Sequence, residues 1–252
     1  MPPLISDPWF LAIGAIAVIL LGISKGGFAG VGALGTPLLA LVVGPVQAAA
    51  IVLPILIVQD VVGVWAFRKS WDGRILALML PGAVIGIALA YGFAARLPEA
   101  GMQILLGLIS ILFALRSLWL QRGGRVPAPA DPPRWFGFLM GIVSGVTSQI
   151  AHAGQPPFQI YVLPRRLPRD VLVGTTAIFF AAVNWIKVPA YLALGQFTRA
   201  HLIASAVLMP LAFASTLAGV WLVRRVDADR FYGLIYWLML LVGLKLIYDG
   251  LA

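Results

Sequence analysis

Apolar residues run in long blocks along this chain, and polar residues gather in the short gaps between them. Blocks at 46–67, 74–95, 101–119, 171–194, 201–223 and 231–248 each approach the roughly 20 residues that a helix needs to cross a hydrocarbon layer about 30 Å thick. Two further blocks break the pattern. Residues 9–43 exceed an ordinary span and are interrupted at 24–27, and residues 135–163 are interrupted around 148–157. The expectation is an all-α polytopic membrane protein in which each interrupted block forms a broken helical hairpin.

The interruptions repeat. Gly22, Gly35, Pro37 and Pro45 stand 119 positions before Gly141, Gly154, Pro156 and Pro164, and Arg68 stands at the same spacing before Lys187. The chain therefore reads as one membrane domain, 1–252, made of a first repeat over 9–120, a linker over 121–134 and a second repeat over 135–250. The linker, QRGGRVPAPADPPR, is polar and rich in Pro and Gly, as suits a connection that need not pack.

Loop charge discriminates between two topologies. If each interrupted block crosses once, eight loop Lys and Arg fall on one side and seven on the other, which sets no orientation. If each block enters and returns to its own side, thirteen fall together against only Arg96 and Arg199. Basic loops favour the cytoplasm, so the second arrangement is preferred. It puts the linker in the cytoplasm and both termini in the periplasm of a cell inner membrane. Each half then holds two short and three long helical segments, and the halves are inverted repeats, the usual build of a secondary transporter.

Composition narrows the chemistry. With 61% hydrophobic and 11% charged residues, no soluble domain is left over. The net charge of +9 sits in loops between spans, where membrane lipid headgroups rather than nucleic acid are its partners. The absence of cysteine and the presence of only two histidines argue against a metal centre, and no cofactor is expected. Nucleotide-binding and hydrolase motifs are missing in any supporting context, so the chain reads as a non-enzyme that does not use ATP itself. The opening MPPLISDPW lacks the basic start of a secretory signal, so the first apolar block is expected to stay. The tryptophans mark span ends, Trp185 being the one kept as a cavity wall.

The breaks carry the candidate site. Within lipid, irregular backbone survives only where it is buried in protein or lines a polar cavity. In SKGGFAGVGALGTP, Ser24, Lys25, Gly26, Gly27, Gly35 and Thr36 are candidates for anion binding: glycines let backbone approach closely, and short-helix starts offer amide donors. The alternative for those glycines is helix packing. The second break supplies Ser144, Thr147, Ser148, His152, Gln155 and Gln159, hydroxyl and amide groups suited to a hydrated oxyanion. Asn184 and Lys187 bring an amide and a cation to one helix face. Both lysines can balance an anion or snorkel to the interface. Asp60, the one acid well inside an apolar block, is a candidate to carry a coupling proton or to pair with Lys25 or Lys187.

GISKGGFAGVGALGTPLLAL at 22–41 and GIVSGVTSQIAHAGQPPFQIYVLP at 141–164 together resemble the sulfite exporter TauE/SafE family of bacterial membrane transporters, over about residues 9–248. The first motif carries the pattern on Gly26, Gly27, Gly30, Gly32, Gly35 and Pro37, and the second on Gly141, Gly145, Gly154 and Pro156. HAGQPPF departs from the simpler second motif of many members. The resemblance implies an inner-membrane permease for sulfite, a sulfonate or a related small anion, with export the family direction. The expected mechanism is alternating access, with protons as the candidate coupling ion; an anion channel or a non-transporting scaffold are the alternatives.

The topology is open to direct test. A reporter inserted near Gly124 is expected to give a cytoplasmic signal and one at the C-terminus a periplasmic signal; both signals on one side would overturn the inverted arrangement.

Overall fold

The computed structural model describes residues 4–25, 31–94, 96–122, 130–222 and 229–252. Ten α-helices account for most of them. The first half holds α1 (Pro8–Lys25), α2 (Gly35–Val43), α3 (Pro45–Phe67), α4 (Gly73–Ala94) and α5 (Glu99–Arg122). The second holds α6 (Arg134–Ala151), α7 (Gln155–Val162), α8 (Arg169–Ala193), α9 (Arg199–Leu222) and α10 (Asp229–Leu251). The six expected crossing blocks are α3 to α5 and α8 to α10, each 22 to 25 residues. At 1.5 Å per residue they are about 33 Å or longer, enough to cross. No strand occurs among the described residues, and the protein is an all-α polytopic membrane protein.

The interrupted blocks do form hairpins, with one difference from expectation. Their first members are not short: α1 and α6 have 18 residues each, and only α2 and α7, with nine and eight, are short. α2 runs back along α1, since Gly32 packs on Ser24, Gly35 on Leu21 and Ala17, and Gly14 on Leu39. α7 runs back along α6 in the same way, with Gly154 against Ser144 and Tyr161 against Gly137. Local chemistry sets the ends. Gly44, at φ 82°, closes α2 in a conformation cheap only for glycine, and Pro45 then opens α3. Pro156 and Pro157 sit in the first turn of α7, where a missing N–H costs little.

The sequence pairing of Arg68 with Lys187 is not matched in the structure. Arg68 follows the last residue of α3, whereas Lys187 lies inside α8 and is fully buried, so the two are not equivalent. Helices α1 and α6 lie 126 positions apart (8 and 134), as do the starts of α4 and α9 (73 and 199) and the ends of α3 and α8 (67 and 193). The spacing of 119 holds at the short helices, for Gly35 with Gly154 and Pro37 with Pro156, whereas Gly22 and Gly141 lie inside α1 and α6 and, like Arg68 and Lys187, do not correspond in position. The connection before α2 spans 26–34, while that before α7 spans only 152–154, and the difference is made up before α8.

The halves interlock. α4 packs on α6 and α1 on α9, each helix against one from the other half, while α3 crosses α8 and α5 pairs with α10. Small residues make the closest approaches. Gly82 and Gly86 of α4 lie against backbone of α6 at Phe138 and Ile142, and Gly141 and Gly145 of α6 against Met79 and Ala83 of α4. This is the four-residue glycine spacing that lets membrane helices touch backbone to backbone. One apolar core joins α1, α2, α3, α5, α9 and α10, and a second joins α4, α6, α7 and α8. Interior prolines at Pro54, Pro81, Pro189 and Pro210 recur in α3, α4, α8 and α9. Each lacks the N–H that would donate to the preceding turn of its helix.

A side chain at Gly145 would collide with the Ala83 carbonyl. Gly145→Leu is expected to lower stability by about 1–3 kcal/mol through overpacking, read as thermal unfolding in detergent. Gly92→Ala, where a methyl meets nothing within 4 Å, serves as control. Equal stability of the two variants would remove the glycine contact as the clamp between α4 and α6.

Candidate functional site

The two hairpin breaks face one cavity. Its volume of about 70 Å³ is several times the ~10–15 Å³ that one water requires. From the first half come Leu21, Ser24 and Lys25 at the end of α1, Gly32 and Ala33 beyond the break, and Leu56 of α3. From the second come Ser148 of α6, His152 in the break, Gln155 and Gln159 of α7, and one face of α8 from Leu172 to Asn184. Seven of the sequence candidates therefore line it: Ser24, Lys25, Ser148, His152, Gln155, Gln159 and Asn184.

Two polar clusters sit in or behind the wall. In the first, Lys25 forms an ion pair with Asp60 Oδ1, and Asn184 Nδ2 donates to Asp60 Oδ2 at 2.6 Å. Asp60 is 2% exposed and does not itself line the cavity, while both of its donors do. The Lys25 ammonium also lies 5.9 Å from the centre of the Phe180 ring, within cation–π range. The pairing of Asp60 with Lys25 is one of the two partnerships its sequence context allowed.

In the second cluster, Lys187 is fully buried, and its ammonium meets three acceptors: Ser148 O at 3.2 Å, Ser148 Oγ at 3.1 Å and His152 Nδ1 at 2.7 Å. An ammonium has three hydrogens, so the count closes. His152 Nε2 is 3.0 Å from Ala49 O, a carbonyl that can only accept. The ring therefore carries its hydrogen on Nε2 and offers the Nδ1 lone pair to Lys187. These bonds hold a residue at φ 52°, the left-handed conformation uncommon outside glycine. Lys187 is thus inside the protein and does not snorkel.

The remaining candidates serve the scaffold around the cavity. Ser144 is fully buried and donates to Gly154 O at 2.7 Å, closing the second break, and Thr147 donates to Val143 O within its own helix at 2.9 Å. Gly35 packs on Leu21, and Thr36 is buried beside it. Gly26 and Gly27 lie outside the described residues. The helix starts contribute fewer amides than expected: two of the first three residues of α7 are prolines without N–H, and a 3-10 turn, Val31–Leu34, runs straight into α2. All eight tryptophans are exposed, Trp185 at 59%, so Trp185 faces outward and is no cavity wall.

Sequence reading missed Thr176 and Phe180, which line the cavity from α8. Thr176, Phe180 and Asn184 are spaced by four and continue to Lys187, a single helical stripe ending on two polar residues. That stripe was the available signal.

A polytopic helical bundle with polar, broken helices facing an internal cavity defines an integral membrane protein built around a small polar site. The family model of the sulfite exporter TauE/SafE matches residues 14–246, nearly the whole chain, and the protein belongs to that family. Membership implies a membrane transporter of sulfite or related anions. No match was found among curated proteins or among solved structures.

The Lys25–Asp60 pair yields a stability prediction. Asp60→Leu leaves a part-buried ammonium unpaired and is expected to cost about 3–5 kcal/mol. The double variant Lys25→Met with Asp60→Leu is expected to recover most of that loss in denaturant or thermal unfolding. Additive losses would show that the two groups are not coupled.

Proposed function

We propose that this protein is a secondary permease of the inner membrane that carries sulfite, a sulfonate or a related small anion by alternating access, with export as its working direction. The observation that carries the reading is the set of donors on the cavity wall: Lys25, Ser24, Ser148, Gln155, Gln159 and Asn184 all line it, the Lys25 ammonium being paired with Asp60. A cation beside hydroxyl and amide donors is what a buried anion site requires. Ser24, Ser148, Gln155 and Gln159 orient the anion, Lys25 contacts it directly, and Lys187 acts from behind Ser148 and His152.

Helix directions support an inverted relation of the halves. α1 runs parallel to α9, with Gly14 on Leu208 and Gly22 on Ser215, and α4 runs parallel to α6, with Gly82 on Phe138 and Gly86 on Ile142. α3 is antiparallel to α8, where Asp60 meets Asn184 and Phe67 meets Gly174. α5 is antiparallel to α10, where Gly107 meets Gly243 and Ala100 meets Gly250. Equivalent helices thus run in opposite senses across the contacts between halves. With α2 returning along α1, this arrangement is consistent with a linker on the opposite side of the membrane from both termini, and halves related by inversion are what alternating access uses.

The test is flux into proteoliposomes from a panel of sulfite, sulfate, methanesulfonate, sulfoacetate, taurine and short carboxylates. Saturable uptake and counterflow of sulfite or a sulfonate are expected, and Lys187→Gln is expected to raise the half-saturating concentration about tenfold or more, the loss of one charge-assisted interaction. Background flux for the whole panel with folded, inserted protein would end the permease reading. Uptake without saturation or counterflow would make the protein a channel.

A further inference from the structure

We propose that the Asp60 carboxylate is an internal stand-in for the transported anion: an anion entering the cavity displaces it from Lys25 and Asn184, and the released carboxylate takes up one proton, so that one proton moves with each anion. The inference rests on the permease reading and extends it to the coupling ion.

Its basis is that one donor pair serves two acceptors. Lys25 and Asn184 both line the cavity, and their Nζ and Nδ2 are turned onto the two oxygens of a carboxylate buried behind the wall. A carboxylate and a sulfur oxyanion present the same features, paired oxygens and negative charge, so donors arranged for one are arranged for the other. In the empty cavity Asp60 satisfies them and leaves no part-buried ammonium bare. When an anion arrives, the donors turn to it, and Asp60 is left in a dry site beside a second negative charge. Two like charges there are costly, and a proton removes the conflict.

The other titratable groups within electrostatic reach from the helices packed on α3 do not replace what Asp60 loses. Lys187 of α8 has its three hydrogens on Ser148 and His152, and the Nε2 hydrogen of His152, at the end of α6, is on Ala49. Lys25 of α1 is the group the anion takes. The step is a simple protonation: one O–H bond forms on Asp60, with the proton drawn from water. On anion release the proton leaves and the carboxylate returns to Lys25 and Asn184.

Binding that takes up one proton weakens as pH rises, by about tenfold per pH unit. The experiment measures binding of methanesulfonate, which has no titrating group, and of sulfite at alkaline pH, where it is fully ionised, to the purified full-length protein. Lumenal pH is followed in proteoliposomes during inward methanesulfonate flux. The wild type is expected to show the tenfold slope and lumenal acidification, and Asp60→Asn is expected to bind with no slope and move no protons. A retained slope in Asp60→Asn, or loss of all its binding, overturns the proposal. Should that variant fail to fold, the wild type decides alone: binding without slope or acidification overturns the proposal and leaves the permease reading standing. Absence of wild-type binding at every pH removes both.

Discussion

A bilayer interior offers no water, so each polar group placed there must find its partner within the protein. That constraint shapes every irregular feature of this chain. The second break is tolerated because Ser144 donates to the Gly154 carbonyl and the His152 amide returns to Ser148 O. Near Pro54 of α3, two carbonyls are met by groups from the second half, Ala49 O by the His152 ring and Ile51 O by the Ser205 hydroxyl. Lys187, the most buried charge, is held by three acceptors, all from the second break or the helix entering it. The polar residues of the breaks thus satisfy the backbone first, and the cavity is where their remaining capacity points.

The same constraint explains the division between glycines that pack and side chains that bind. Lipid tails are as apolar as leucine, so helices in a membrane are held by close contact more than by hydrophobic burial. Gly82, Gly86, Gly141 and Gly145 let α4 and α6 meet backbone to backbone, and Gly22 and Gly219 do the same for α1 and α9. Both contacts join a hairpin of one half to a long helix of the other. The break therefore sits on rigid struts from the opposite half, and a cavity between two breaks has its width set by glycine contacts some distance away.

Much of this was legible in the chain. The six helices of 22 to 25 residues followed from block length alone, and both hairpins from Gly, Pro and Ser inside apolar sequence; that α1 is also long and apolar enough to cross was hidden by reading its block as two short segments. The spacing of 119 does not extend to the long helices: Gly35 with Gly154 and Pro37 with Pro156 stand at the short helices, whereas α1 and α6 start 126 positions apart and the connections after them differ by six residues. Lys25, Asp60, Asn184 and Lys187 stood out because charge and amide are rare in such surroundings. The Lys25–Asp60 pair was one of two partnerships the chain offered, but the bond from Asn184 to Asp60 was not legible, since it joins residues 124 positions apart and depends on how α3 crosses α8. Thr176 and Phe180 are ordinary in an apolar helix, and only their place on the Asn184 face distinguishes them. Helix-start amides were overvalued because Pro156 and Pro157, read as markers of a break, also delete the donors that a helix start would supply.

The arrangement of bonds within and between halves bears on how such a site can move. Lys25 and Asp60 belong to the first half, and Lys187, Ser148 and His152 to the second, so each half carries its own cation together with the group that holds it. At the cavity, Asn184 to Asp60 and His152 to Ala49 cross between them. Sliding one half against the other leaves both cations held and changes these two crossing bonds. An anion that accepts from Lys25 and Asn184 together spans the same boundary that Asp60 spans in the empty site. Its occupancy is therefore tied to the relative position of the halves through Asn184, a short neutral side chain whose hydrogen bond is lost with a shift of little more than an ångström. On the proposed permease reading, the ligand is held at the boundary between the halves, which is the physical requirement for binding and conformational exchange to be coupled.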